Sequence, residues 1–527
     1  MPKARALLAH AGATATRFYA HTPICCPSRA ELLTGRYLHN LKVRPAAQPR
    51  AVSVCMHVNE SRVLDHSFAA SLAEAGYHVG MFGKFLNNVP DWTQPARGFS
   101  AWLANGGGDY IAPKFGAANL AFAGIEDGEV QYGEDAYTTS IVGNVSNEWI
   151  RHVARRQPER PFFAYIAPKA AHEPFIPARW YVDHWDPQWP SSEPRPPNWN
   201  CSAALRRGKH GNIATQPMIT AEAARVVTGV FKNRWRTLLS VDDLIGHTLA
   251  TVESLGLLDR TYFFFTSDHG FQLGENNILM DKRHVYDWDT RVHLLVRGPG
   301  IRAGSEMAYP ATMVDLAPTF LSIAGVTPPA TMDGRSLLPL FVEDRGDGRR
   351  PLEARGGGIG QRTRLPPDVQ QHLHAVGGAK AYRAAWRSEV FLEYYFVDDN
   401  DKCVEKCSTT GQWPHADSNC VDLPHNQGCW GPPQCIAQCY PTESLANNFI
   451  ALRTEDTAGS ILYAEFATGN QSDANVNFET PDFFELYHTQ TDPWLLTNAY
   501  NVTTVVTRDR LHSRLRLWFE CAGSSCP

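Results

Sequence analysis

The sequence predicts an α/β fold built on a mostly parallel sheet covered on both faces, followed by a smaller C-terminal unit with its own sheet. Three observations predict it. Short apolar runs of strand length, PFFAYIA at 161–167, TYFFFTS at 261–267 and HLLVRGP at 293–299, alternate with longer helical stretches at 134–156, 216–257 and 314–324. Those runs read as strands buried on both faces. Beyond residue 370 the pattern changes to FLEYYFV at 391–397, SILYAEF at 460–466 and FFELY at 483–487, which suggest a small separate sheet.

From the N-terminus, residues 3–11 read as an amphipathic helix closed by Gly12, and 14–20 as a strand. Pro27 to Leu33 reads as a helix, because proline suits a first turn and Gly35 stands near the end. A helix at 66–76 has Ser67 as its candidate cap, and 78–83 is a strand. The stretch 343–367 is rich in Gly, Arg and Pro and reads as a linker. Its Gly356-Gly357-Gly358-Ile359-Gly360 follows no strand, so it is not a dinucleotide loop. The domain division falls at 370, giving units 1–370 and 371–527.

Composition narrows the function. The chain has 527 residues, 43% hydrophobic and 20% charged, with 49 basic against 54 acidic side chains. That balance excludes extensive disorder and gives no reason to expect a nucleic-acid partner. No apolar run approaches the ~18 residues of a membrane span. Six of 12 cysteines, Cys403, Cys407, Cys420, Cys429, Cys435 and Cys439, form a cluster at 403–439. It reads as a disulfide framework, since its spacing is poor for zinc. Cys521 and Cys526 are expected to pair with each other or pin the tail. Five glycosylation sequons, at Asn59, Asn144, Asn200, Asn470 and Asn501, support secretory-pathway residence. Met1-Pro2-Lys3-Ala4-Arg5 has no apolar core, so no signal peptide is read there.

Two segments carry chemistry. Cys25-Cys26-Pro27-Ser28-Arg29 places Cys25 just before a helix N-terminus, where free N–H groups and the dipole favour an anion and lower a thiol pKa. Arg29, one turn on, could fork two hydrogen bonds to an oxyanion. Alternatively the pair is a buried or disulfide-bonded helix start. Asp268-His269-Gly270 ends a strand, where ligand sites of α/β sheets lie, and offers a carboxylate and an imidazole to a metal. His172, Lys84 and Lys282 stand in segments that could face the same edge. Each alone could be a solvated or core residue.

The run from Cys25 to Arg36 resembles the C-x-P-S-R-x-x-x-L-T-G-R signature of the type I sulfatases. So do Gly83-Lys84, His172, Asp268-His269-Gly270, Asp281-Lys282-Arg283, Leu295-Val296-Arg297-Gly298-Pro299-Gly300, Asp333-Gly334-Arg335-Ser336-Leu337-Leu338-Pro339, and Glu485-Leu486-Tyr487 with Asp492-Pro493. Cys25-Cys26 and Gly83-Lys84-Phe85-Leu86-Asn87 most resemble the branch holding N-acetylglucosamine-6-sulfatases, extracellular endosulfatases and algal arylsulfatases. The resemblance implies an alkaline-phosphatase-like sandwich for 1–370 and a C-terminal α+β subdomain. It implies that Cys25 is oxidised to formylglycine by the formylglycine-generating enzyme. It further implies one calcium ion held by residue 25, Asp268 and His269 with two N-terminal Asp. Arg29, Lys84, Lys282 and His172 would hold the nucleophile or sulfate, or assist the leaving group, and Asn87 would stand near the substrate. Cations offset the repulsion between an anionic ester and an oxygen nucleophile, each preorganised donor contributing ~10²–10³ in rate.

The sequence departs from the family at its start. The family's first strand ends in paired Asp, and here no Asp precedes Asp65. The chain as written is therefore expected to be weakly active or inactive and its full-length parent a sulfatase, secreted or lysosome-like, acting on a sulfated glycan or aryl sulfate ester. Three rivals remain: a phosphate or phosphonate monoester hydrolase of the same superfamily, an inactive sulfoglycan-binding protein, and a hydrolase using Cys25 and His172 as thiolate and base.

Overall fold

The structure is a computed structural model that describes residues 1–42, 55–56, 58–87, 89–216, 218–219, 221–342, 365–396, 446–455, 459–468 and 478–527. The linker at 343–364, the cysteine cluster at 403–439 and Asn470 lie outside the described residues. The strands are β1 (Ala13–Tyr19), β2 (His78–Lys84), β3 (Ala101–Asn105), β4 (Lys114–Ala118), β5 (Gly128–Gln131), β6 (Phe162–Ala167), β7 (Phe263–Thr266), β8 (Arg291–Arg297), β9 (Ser305–Met307), β10 (Ala311–Thr312), β11 (Glu389–Tyr394), β12 (Phe449–Thr454), β13 (Ile461–Phe466) and β14 (Phe483–His488).

Two mixed sheets form the larger unit. One has the order β5-β4-β3-β2-β6, and the other β10-β1-β8-β7 with β9 also on β1. β2 pairs in parallel with both β3 and β6, while β8 runs antiparallel to β1 and β7. The Thr138–Arg156 and Ala221–Ser254 helices pack on this unit, with Val142, Val145, Trp149, Leu244 and Val252 in one core cluster beside Phe82 and Leu103. The sandwich is the expected one. The third sheet is the expected small C-terminal one, an antiparallel meander β11-β12-β13-β14. The Val505–Glu520 helix lies against it, with Trp518 stacked on Phe391 at 6.4 Å. Strand β12 is an addition to the three strands that the sequence suggests for this sheet.

One expectation is corrected. Strands β6 and β7 are half-buried along their whole length rather than enclosed. Among the described residues β6 pairs only with β2 and β7 only with β8, so each keeps an open hydrogen-bonding edge. A cavity of about 580 Å³ lies along both strands, walled also by Val241, Ile245 and Leu249. Apolar composition makes these strands read as interior, but composition does not say whether both edges are paired. Amides on open edges exchange readily. Hydrogen exchange at Phe162–Ala167 and Phe263–Thr266 is therefore expected to outpace that of β2 and β8. Equal protection in a mass-spectrometric exchange experiment would contradict this pairing.

Disulfides join Cys26 to Cys55 and Cys521 to Cys526, the second as expected. Of the sequons, Asn144 and Asn501 are exposed. The Asn59 side chain instead caps its helix through the Arg62 N–H, and Asn200 bonds both the N–H and the C=O of Ile219.

Candidate active site

The first motif forms the Cys25–Thr34 helix, capped at its end by Gly35 in the left-handed conformation (φ 67°). The helix begins at Cys25 itself, two residues before the expected Pro27. Proline is tolerated there because first-turn N–H groups have no intrahelical partner. Cys25 is a buried free thiol within the first turn, and Cys26 points away into its disulfide. Cys25 and Cys26 are therefore not paired with each other.

β2 delivers Lys84 to the thiol, with Nζ 3.7 Å from Sγ. Gly83 allows this approach: its φ is 108°, and a Cβ there would lie 2.1 Å from the Ala167 carbonyl oxygen of β6. From the end of β7, His269 Nε2 comes 3.2 Å from Cys25 Sγ, and Asp268 joins them in a cluster whose donor atoms all lie within 4.8 Å. These three side chains could hold a metal ion. Ser28 Oγ donates to the Asp268 carbonyl at 2.5 Å and ties the helix to that edge. After β6 the chain brings His172, which lines the same pocket as Lys84, Asp268, His269 and Lys282. Lys282 arrives from the long loop after β7, buried, with Nζ 3.7 Å from Glu173 Oε2. The candidate residues Cys25, Lys84, His172, Asp268, His269 and Lys282 thus converge.

Arg29 departs from expectation. Its Nε donates to the Phe85 carbonyl at 2.5 Å, Nη1 to Asp268 Oδ2 at 2.6 Å and Nη2 to Asn87 Oδ1 at 2.5 Å. The fork is committed to protein acceptors rather than free for an oxyanion. It fixes the Asp268 carboxylate, and Asn87 serves as its anchor. Glu173 is a member of the site that sequence reasoning missed; its place directly after His172 was the available signal.

The electrostatics follow from this packing. Burial pushes the Cys25 thiol up, but Lys84, His269 and Lys282 outweigh it and hold the thiol well below its usual range. Burial lowers Lys84 and His172. Burial would also lower Lys282, but Glu173 and Cys25 hold it above the ordinary lysine range. The site is thus a largely buried pocket in which cations surround one thiol.

A family model described as Sulfatase matches residues 1–326. The chain is 29% identical over 539 residues to the N-acetylglucosamine-6-sulfatase of Homo sapiens, covering 100% of this chain and 82% of that protein. It is 33% identical over 351 residues to the extracellular sulfatase SULF-1 homolog of Drosophila melanogaster, covering 65% of this chain and 29% of that one. A protein solved in complex with its substrate D-glucosamine-2-N,6-O-disulfate superimposes with a TM-score of 0.62 at 20% identity, over 98% of this chain and 91% of that chain. The phosphonate monoester hydrolase of Agrobacterium radiobacter does so with a TM-score of 0.59 at 19% identity, over 98% and 91%. The two structural likenesses show a shared fold.

Proposed function

Given that the chain belongs to the sulfatase family, whose model covers residues 1–326, we propose that it removes sulfate from a sulfated sugar of the N-acetylglucosamine-6-sulfate kind, or from an aryl sulfate. The observation that carries this reading is the position of Cys25, within reach of His269 Nε2 at 3.2 Å and Lys84 Nζ at 3.7 Å. In this reading Cys25 is matured to formylglycine by the formylglycine-generating enzyme, which supplies a hydrated aldehyde as oxygen nucleophile and a second hydroxyl for expelling the sulfate. Lys84 and Lys282 hold the ester's oxygens and draw off the charge that develops on them. His172, in its doubly protonated form, gives its Nε2 proton to the leaving oxygen. Arg29 keeps Asp268 aimed at the nucleophile.

Calcium takes about six to eight oxygen ligands. Cys25, Asp268 and His269 offer one carboxylate, one imidazole and the atom at residue 25, and Arg29 already engages one oxygen of Asp268. These donors make part of a divalent-ion shell but do not by themselves fit calcium. Secretion or a lysosome-like residence is supported by the two disulfides and by exposed sequons at Asn144 and Asn501. Units 1–370 and 371–527 serve as the catalytic domain and the subdomain that braces it.

The test compares turnover of matched aryl sulfate and aryl phosphate esters. Sulfate is expected to be favoured in kcat/KM by at least about tenfold, or ~1.4 kcal/mol. The opposite order would make the protein a phosphoric or phosphonic ester hydrolase, the alternative that its structural likeness keeps in view.

A further inference from the structure

We propose that Glu173 is a positioning residue of this site: its carboxylate sets the tautomer of His172, so that Nε2 rather than Nδ1 turns to Cys25, and draws Lys282 to the same edge. The assignment rests on the reading of residue 25 as the nucleophile. His172 Nδ1 lies 3.3 Å from Glu173 Oε2 and 2.9 Å from the Glu173 carbonyl oxygen. Both partners are acceptors only, so Nδ1 is the nitrogen that carries hydrogen. Nε2 is the nitrogen left to face the site. The same Oε2 is 3.7 Å from Lys282 Nζ. One carboxylate oxygen thereby links the two cation-forming groups that flank residue 25.

The surrounding loop keeps that carboxylate in place. Tyr110 donates to the His172 carbonyl at 2.7 Å, and Arg234 Nη1 donates to the Ala171 carbonyl at 2.9 Å. The Arg234 guanidinium itself lies 4.3 Å from the Phe271 ring. Burial works against the Glu173 charge, yet His172 and Lys282 hold its carboxyl at about 2, so it is ionised at neutral pH. A carboxylate that orients an imidazole and fixes which nitrogen faces the reaction is a recurrent device of metal and acyl-transfer sites. Its removal leaves Nδ1 with the backbone carbonyl of residue 173 as its remaining acceptor and weakens the preference for Nδ1–H.

The experiment uses the full chain with ¹⁵N-labelled histidine, the His172 signals being assigned by their loss in His172→Ala. The wild type is expected to show the Nδ1–H tautomer. Glu173→Ala is expected to shift it toward Nε2–H, and Glu173→Gln, which keeps an acceptor oxygen, to restore it. In parallel, kcat on an aryl sulfate should fall about 10–100-fold in Glu173→Ala with KM changed less than about threefold, and recover in part in Glu173→Gln. An unchanged tautomer in Glu173→Ala overturns the proposal, whether or not thermal stability drops. A wild type that prefers aryl phosphate to aryl sulfate, with the tautomer response intact, sinks the sulfatase reading and leaves the positioning assignment standing.

Discussion

Cys25→Ala is expected to abolish sulfate-ester hydrolysis, lowering kcat by about 10⁴-fold or more. No other described side chain in the cluster can replace it, since its neighbours are two carboxylates, two imidazoles and two ammonium groups. Cys25→Ser should be nearly as inert, because a serine hydroxyl cannot form the hydrated aldehyde. The peptide containing residue 25 should show a lower mass than its cysteine form in active preparations. Where conversion is incomplete, iodoacetamide should label residue 25 readily, since Lys84, His269 and Lys282 outweigh burial and keep that thiol ionised. Cys26→Ala is the control. It breaks the link to Cys55 and should reduce stability by about 2–5 kcal/mol while leaving residue 25 in place. Full turnover by Cys25→Ala would strip residue 25 of its role as nucleophile.

Glu393→Ala should destabilise the fold by about 3–5 kcal/mol, because it leaves buried cations without their counter-charge. Glu393 projects from β11 of the C-terminal sheet into the larger unit. Its Oε1 meets His21 Nε2 at 2.8 Å and His39 Nδ1 at 3.0 Å. The other nitrogen of each ring faces a backbone carbonyl, of Phe391 at 2.5 Å and Cys521 at 3.0 Å. With acceptors at both ring nitrogens, the His39 imidazole is best served when doubly protonated. Burial would lower the His39 pKa, but attraction to Glu393 and the bonds to Glu393 and Cys521 outweigh it and raise it. Burial would raise Glu393, and His39 and His21 bring it well below the usual carboxylate range.

Linkage gives this junction a pH dependence of definite sign. A raised histidine contributes stability fully below its unfolded pKa of about 6.5, and loses it as pH rises through the folded value. A depressed carboxylate contributes above its unfolded pKa of about 4.3, and loses it as pH falls through the folded value. The junction is therefore strongest in mildly acidic solution. Also packed around it are Glu31, raised by burial, the hydroxyl of Tyr395, which donates to Glu393, and Lys42, lowered to about 8 by burial. Lys42 acts in the opposite sense, but only above about 8. The stabilisation that Glu393 confers, read as the thermal midpoint of the wild type minus that of Glu393→Gln, should decline as pH rises from about 6 to 8. A difference that grows over this interval would refute the assignment.

Much of the site was legible in the sequence because its signals are local. The spacing from Cys25 through Pro27 and Arg29 to Gly35 encodes one helix with a free thiol in its first turn. Asp268-His269 after an apolar run encodes a strand end. The five-residue separation of Cys521 and Cys526 already makes their pairing accessible. None of these depends on what lies across the fold. What the tertiary structure alone decided is who stands opposite whom. Arg29 reads as a free fork until Phe85, Asn87 and Asp268 are found holding it, the last 239 residues away in sequence. β6 and β7 read as interior until each is seen to lack a neighbour on one edge. Glu393 lies in an apolar run, FLEYYFV, and is a junction only because His21 and His39, 372 and 354 residues earlier, fold against it. The physical reason is the same in each case. Periodicity and spacing report how a segment is shaped and which side it would hide, whereas the state of a charged group is set by whatever distant atoms finally surround it.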